Sequence, residues 1–151
     1  MRNNKDLFIS YIISLAPFIF SSIESFLSYG FEYIFGYFLY FGLYPLILIF
    51  LCHLFKTRKY HLTGISFALL MQYFVYMFMS KSGDTNGLVW LGYFFTIPGL
   101  IMGVLLSCYL IIKRKLNLKN ITIGFLFPFL GFLLNHIALC NTLMYCKFIS
   151  Y

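Results

Sequence analysis

Very few residues in this sequence can do chemistry. Its 151 residues include four acids (Asp6, Glu24, Glu32, Asp84), three histidines (His53, His61, His136) and four cysteines (Cys52, Cys108, Cys140, Cys146). Four acids leave almost nothing for general acid–base work, which needs titratable groups placed beside the reacting atoms. His136 and Cys140 are four residues apart, so on a helix they share a face, and Asn135 and Asn141 flank them. They could supply two metal ligands, but zinc takes about four in structural sites and about three protein ligands in catalytic ones. No metal and no cofactor is expected. His136 is read as a hydrogen-bonded structural histidine, with a proton-relay or ligand role as the sharper alternative. His53 and His61 flank a basic segment and are expected to be solvated. No P-loop, G-x-G-x-x-G, H-E-x-x-H or G-x-S-x-G motif occurs in the sequence. The chain is not expected to be an enzyme.

The elements that must hold these residues are apolar throughout. Apolar residues make up 62% of the chain, aromatics 23% and charged residues only 10%. Soluble domains run near 45–50% apolar and about 25% charged. A membrane-crossing helix needs about 20 mostly apolar residues. Runs at about 7–28, 33–55, 62–80, 89–112 and 121–141 qualify. They are continuously apolar, without the alternation of barrel strands. The fold class is therefore all-α: a polytopic membrane protein, with residues 1–151 forming a single transmembrane helical domain of five helices. The short segments between spans cannot build a soluble domain, so any site lies inside the bundle or at its rim.

The net charge of +7 takes its meaning from placement. Arg2, Lys5, Lys56, Arg58, Lys59, Lys113, Arg114, Lys115 and Lys119 all fall on one side of a five-span thread, and only Lys81 and Lys147 on the other. Short loops rich in Lys and Arg stay cytoplasmic. The expectation is an N-terminus in the cytoplasm and a C-terminus outside, in a cell inner membrane, with the first span an uncleaved anchor. Nucleic acid drops out as a partner. Membrane lipid stays, with headgroup attraction of about 1 kcal/mol per basic residue.

Glu24 is the one acid inside a span. A carboxylate at the bilayer centre costs about 2.5–3.5 kcal/mol on insertion scales, so such residues are functional candidates. With Gln72, Asn135 and His136 it makes the set of candidate polar intramembrane residues; an interfacial, hydrated position is its plainer reading.

Helices in lipid associate through small and polar residues. Stripes at steps of three and four run through Ser10, Ser14, Pro17, Ser21, Glu24 and Ser28; through Gly64, Ala68 and Gln72; through Gly92, Thr96, Gly99, Gly103 and Ser107; and through Gly124, Pro128, Gly131, Asn135, Ala138 and Thr142. These faces are expected to point inward or toward a partner, a homo-oligomer included, with Phe and Leu facing lipid. Pro17, Pro45, Pro98 and Pro128 fall in four different spans, where proline can kink a helix. Cys52 and Cys108 are expected to be reduced. Cys140 and Cys146 would lie about 9 Å apart on one helix, too far for a bridge unless the helix ends between them. The stretch from Phe31 to Tyr44 is dense in Phe and Tyr. It reads as an aromatic belt at the outer interface or as a recognition surface.

Two functions fit. One is a non-catalytic protein that recognises another membrane protein or a membrane-inserting toxin. Bacterial inner-membrane immunity proteins and phage exclusion proteins share this body plan, a likeness of size and topology carried by no motif. The other is a small transporter or channel subunit with a polar path through Glu24, Gln72, Asn135 and His136.

Overall fold

The structure, a computed structural model, describes residues 4–29, 34–55, 60–81, 86–113 and 120–142. Most of the charges that set the threading, among them Arg2, Glu32, Lys56, Arg58, Lys59, Asp84, Arg114, Lys115, Lys119 and Lys147, lie outside these residues. The described residues are helical and contain no strand. α1 spans Asn4–Tyr29. A second rod is built of α2 (Ile34–Tyr37), a π-helical turn (Phe38–Leu43) and α3 (Tyr44–Leu54). α4 spans His61–Lys81, α5 Asn86–Lys113 and α6 Asn120–Thr142. Five of the resulting helical stretches are long and apolar enough to cross a membrane. The architecture is that of a multi-pass membrane protein.

The prolines act differently from one another. Pro17, Pro98 and Pro128 sit inside α1, α5 and α6. Pro45 sits in the first turn of α3, directly after the π turn. It has no N–H for the carbonyl one turn back, and the turn before it is wound wider. A π turn carries more residues than an α turn. Here it brings two consecutive residues, Phe41 and Gly42, to the buried side.

Contacts show that the helices alternate in direction. The starts of α1, α4 and α6 meet the end of α5: Asp6 touches Thr63, His61 reaches Ser107, and the His61 backbone abuts Gly124. At the opposite end Ser21 meets Tyr73, and Tyr76 meets His136. α4 is the central helix, packed on α1, α3, α5 and α6. Residues His61–Ser66 are all buried.

The core is aromatic. Phe41 packs on Trp90, Tyr93 and Tyr73 at centroid distances of 5.1, 5.4 and 5.6 Å. Most of these contacts are edge-on or tilted, as the ring quadrupoles favour. Phe132, Leu48, Leu69 and Leu100 are buried too, which corrects the expectation that Phe and Leu face lipid. With little hydrophobic drive between helices in lipid, close packing decides position, and large rings fill the centre. Phe8, Leu27, Phe35, Phe78 and Leu134 are among the many that do face outward.

Candidate functional site

Interior polar residues form three groups, one toward each end of α4 and one near its middle. The first joins α1 to α4. Residues 6, 10, 14 and 21 recur at helical spacing, so Asp6, Ser10, Ser14 and Ser21 share one face of α1, and all four are buried. The Asp6 carboxylate accepts from the Tyr60 N–H at 2.9 Å and from the Thr63 hydroxyl. It thereby stands at the amino-terminal end of α4, where free N–H groups and the helix dipole favour an anion. Tyr60, just before α4, has φ 64°, the left-handed region that a large side chain adopts only when its surroundings hold it there. Ser14 donates to Ser66 at 3.1 Å, and Ser66 Oγ lies 3.0 Å from the carbonyls of both Ser10 and Leu62. Further along, Ser21 donates to the Tyr73 hydroxyl at 2.9 Å.

His61 corrects the expectation of a solvated side chain: it is fully buried. The reason is steric and polar together. α4 begins at this residue, against α5 and α6, and Ser107 offers a partner 3.1 Å from Nε2. The Ser107 hydroxyl donates to the Val104 carbonyl at 2.7 Å, so Nε2–H is the donor of the pair. Nδ1 is left without a hydrogen-bond partner. Near the same end, the Cys52 and Cys108 thiols are neighbours across α3 and α5, and both are buried and free.

The second group centres on Gln72, which is fully buried. Its Nε2 donates to Thr96 Oγ1 at 3.1 Å and to the Tyr93 carbonyl at 3.4 Å. Its Oε1 accepts from the Tyr44 hydroxyl at 3.4 Å. Thr96 donates to the Tyr93 carbonyl at 2.8 Å. One amide thus ties α3, α4 and α5 together, and each buried polar atom gains the partner it needs.

The third group holds His136. Its Nδ1 lies 2.8 Å from the Tyr76 hydroxyl and its Nε2 3.6 Å from Cys140 Sγ. Phe132 stacks on the ring at 5.9 Å, and the Tyr76 ring meets it edge-on at 5.5 Å. Cys140 is disulfide-bonded. α6 ends at Thr142, between Cys140 and Cys146, and Cys146 lies outside the described residues.

Among the other sequence candidates, Asn135 donates to the Phe95 carbonyl at 2.7 Å, which pins α6 to α5 away from Gln72. Glu24 is exposed on α1 and interacts electrostatically with Tyr73. The structure therefore joins Gln72 to Thr96 and His136 to Tyr76, two neighbouring pairs, and leaves Glu24 and Asn135 apart from both. Gly92, Thr96, Gly103 and Ser107 are buried. The glycines sit where backbones touch. A Cβ on Gly99 would meet the Gly131 carbonyl at 2.5 Å, and one on Gly131 would lie 3.2 Å from Gly103 Cα. Gly64 and Gly124 play the same part between α4 and α6. The Gly99–Gly103 seam is thus occupied by α6 of the same chain.

Sequence reasoning passed over Asp6, Thr63, Ser66, Tyr44, Tyr73, Tyr76 and Tyr93 as functional positions. Asp6 carried a usable signal: it extends the Ser10 and Ser14 stripe one turn toward the amino terminus. Tyr73, Tyr76 and Tyr93 carried none, because aromatic residues are spread along α4 and α5 and only packing selects which point inward.

No protein-family model, curated protein or solved structure matches this chain.

Proposed function

We propose that this chain is a non-catalytic recognition protein of the cell inner membrane, of immunity or exclusion type, with its N-terminus in the cytoplasm and its C-terminus outside. Its partner would be another membrane protein or a membrane-inserting toxin. The observation that carries the reading is how the interior polar groups are used. Asp6, His61, Gln72 and Thr96 are bound to neighbouring helices and buried, so they hold the bundle together. What the surface offers a partner is apolar and aromatic, including the second rod. Phe35 and Tyr40 are exposed on the second rod, and Glu24 is exposed on α1 near the same end. Aromatic residues are favoured at interface cores, where large rigid rings bury area at little entropic cost. The Cys140 disulfide supports the assignment of that end to the oxidising side.

The test has two arms. Affinity purification in mild detergent should recover a membrane or membrane-inserting protein, and Phe35→Ala with Tyr40→Ala should reduce recovery at least tenfold. Deletion of the gene should sensitise cells to a toxin or phage encoded nearby. No change in sensitivity to any such agent, together with no specific partner, would sink the idea.

The buried groups Tyr44–Gln72–Thr96 and Tyr76–His136 favour a second reading, a small transporter or channel subunit with a polar path. Glu24 is exposed and stands outside both groups, which weighs against it. Flux in reconstituted vesicles that disappears in Gln72→Leu would favour transport over recognition.

A further inference from the structure

Two reactive side chains meet in the apolar core. Leu48 and Cys52 stand one turn apart on α3, and Leu100, Val104 and Cys108 follow one another at single turns along α5. All five belong to one buried apolar cluster. The two sulfurs are neighbours across the seam, and both are free thiols. Cys52 is 2% exposed and Cys108 3%. Among the described residues no third His, Cys, Asp or Glu joins them in a group that could hold a metal, and zinc takes about four ligands in a structural site. Two thiolates in apolar surroundings would be buried charges without partners, which is costly. A disulfide carries no charge and needs no hydrogen bond, so it is the product this environment accepts.

We propose that Cys52 and Cys108 form an oxidation site, where a small uncharged hydroperoxide converts the two thiols into a disulfide joining α3 to α5. Burial selects the oxidant. A large charged molecule such as oxidised glutathione is kept from sulfurs this enclosed, whereas hydrogen peroxide is small and neutral. Both cysteines lie near helix ends, α3 stopping at Leu54 and α5 at Lys113, so the path in from water is short. One sulfur attacks a peroxide oxygen. An S–O bond forms, the O–O bond breaks, and the departing hydroxide takes the thiol proton and leaves as water. The other sulfur attacks the resulting sulfenic acid. An S–S bond forms, the S–O bond breaks, and the hydroxide leaves with the second thiol proton as water. The two thiols lose two electrons, and one peroxide becomes two waters. α3 meets α5 only along a thin seam, so the new bond fastens the second rod to a helix it otherwise barely touches. On the proposed threading this end lies in the cytoplasm, where thiols are kept reduced, and the bond closes when peroxide rises. The site is independent of the recognition reading.

The experiment uses the purified full chain in mild detergent, one sample treated with hydrogen peroxide and another with oxidised glutathione. After quenching, each is unfolded in dodecyl sulfate with iodoacetamide and mapped by peptide mass spectrometry without reductant. Peroxide should give a linked peptide pair containing Cys52 and Cys108 from one chain, with both sites closed to alkylation and reopened by dithiothreitol. Oxidised glutathione should act at least about tenfold more slowly, since access limits thiol exchange. The bond closes a long loop, so the oxidised chain should unfold at a higher dodecyl sulfate fraction than the reduced one. Cys52→Ala and Cys108→Ala should each lose the link and that shift. If either variant misfolds, wild type decides: peroxide added after unfolding should yield about tenfold less of the link, because the fold no longer holds the sulfurs together. Peroxide that leaves both thiols open to alkylation, oxidises them separately or joins them between two chains would overturn the proposal, as would equal closure by oxidised glutathione.

Discussion

Replacing Gly103 by alanine should separate α5 from α6. An ideal Cβ at Gly103 would stand 2.7 Å from Pro128 Cα and 2.9 Å from the Phe127 carbonyl carbon, and would also meet the Phe127 oxygen. Carbon atoms are content at about 3.5–4.0 Å. The obstructing atoms are backbone, so no side chain can rotate away, and α6 must retreat by about 1 Å. A gap of about 0.5–1 Å already forfeits a quarter to a half of a dispersion contact, and Gly99 and Gly131 share this seam. Overpacking of this kind costs about 1–3 kcal/mol. Alanine recovers at most about 1 kcal/mol of helix propensity relative to glycine. Gly36→Ala gains the propensity alone, since nothing stands within 4 Å of that Cβ. The two variants should therefore differ by about 1–3 kcal/mol, or about 5- to 150-fold in the folded-to-unfolded ratio. The assay is unfolding in mixed micelles at rising mole fractions of dodecyl sulfate. Trp90, the single tryptophan, is packed against Phe41 and Tyr93 and reports loss of the core. Gly103→Ala unfolding at the same detergent fraction as Gly36→Ala, or a higher one, would refute the close-approach argument.

Two further outcomes follow from the same contacts. Asp6→Ala removes the carboxylate that holds the Tyr60 N–H and the Thr63 hydroxyl. It should lower stability by about 1–3 kcal/mol in the same unfolding series, with Asp6→Asn losing less because it keeps one acceptor; an unchanged Asp6→Ala midpoint would show that the cap carries no load. For the threading, an alkaline phosphatase fusion after residue 151 should be active and a green fluorescent protein fusion dark, and the reverse pattern would invert the orientation.

Element boundaries were legible because the physical signal is length. Hydrocarbon thickness demands runs of about 20 apolar residues, and a run written without loops has ends that cannot move far. The expected span 62–80 became His61–Lys81, and 121–141 became Asn120–Thr142. The glycine stripes were legible for a related reason: a missing side chain at helical spacing marks a face where another backbone can come close. His61 was misread because its sequence neighbours are basic while its spatial neighbours, Ser107 and Gly124, lie far along the chain. Asp6 reads in the sequence only as one of four acids, although its carboxylate ends as the cap of α4.

The sequence by itself determined the five apolar spans, their approximate extent and the stripes available for packing, because these follow from local composition and a fixed helical period; the π turn that divides the second span was not legible in it. Tertiary structure decided which polar groups meet. Gln72 could have faced any neighbour until α3, α4 and α5 closed on it, and His136, already beside Cys140 on its own helix, met Tyr76 only when α4 and α6 packed together. A hydrogen bond needs a partner within about 3 Å, and between helices that distance is set by packing across dozens of residues of chain.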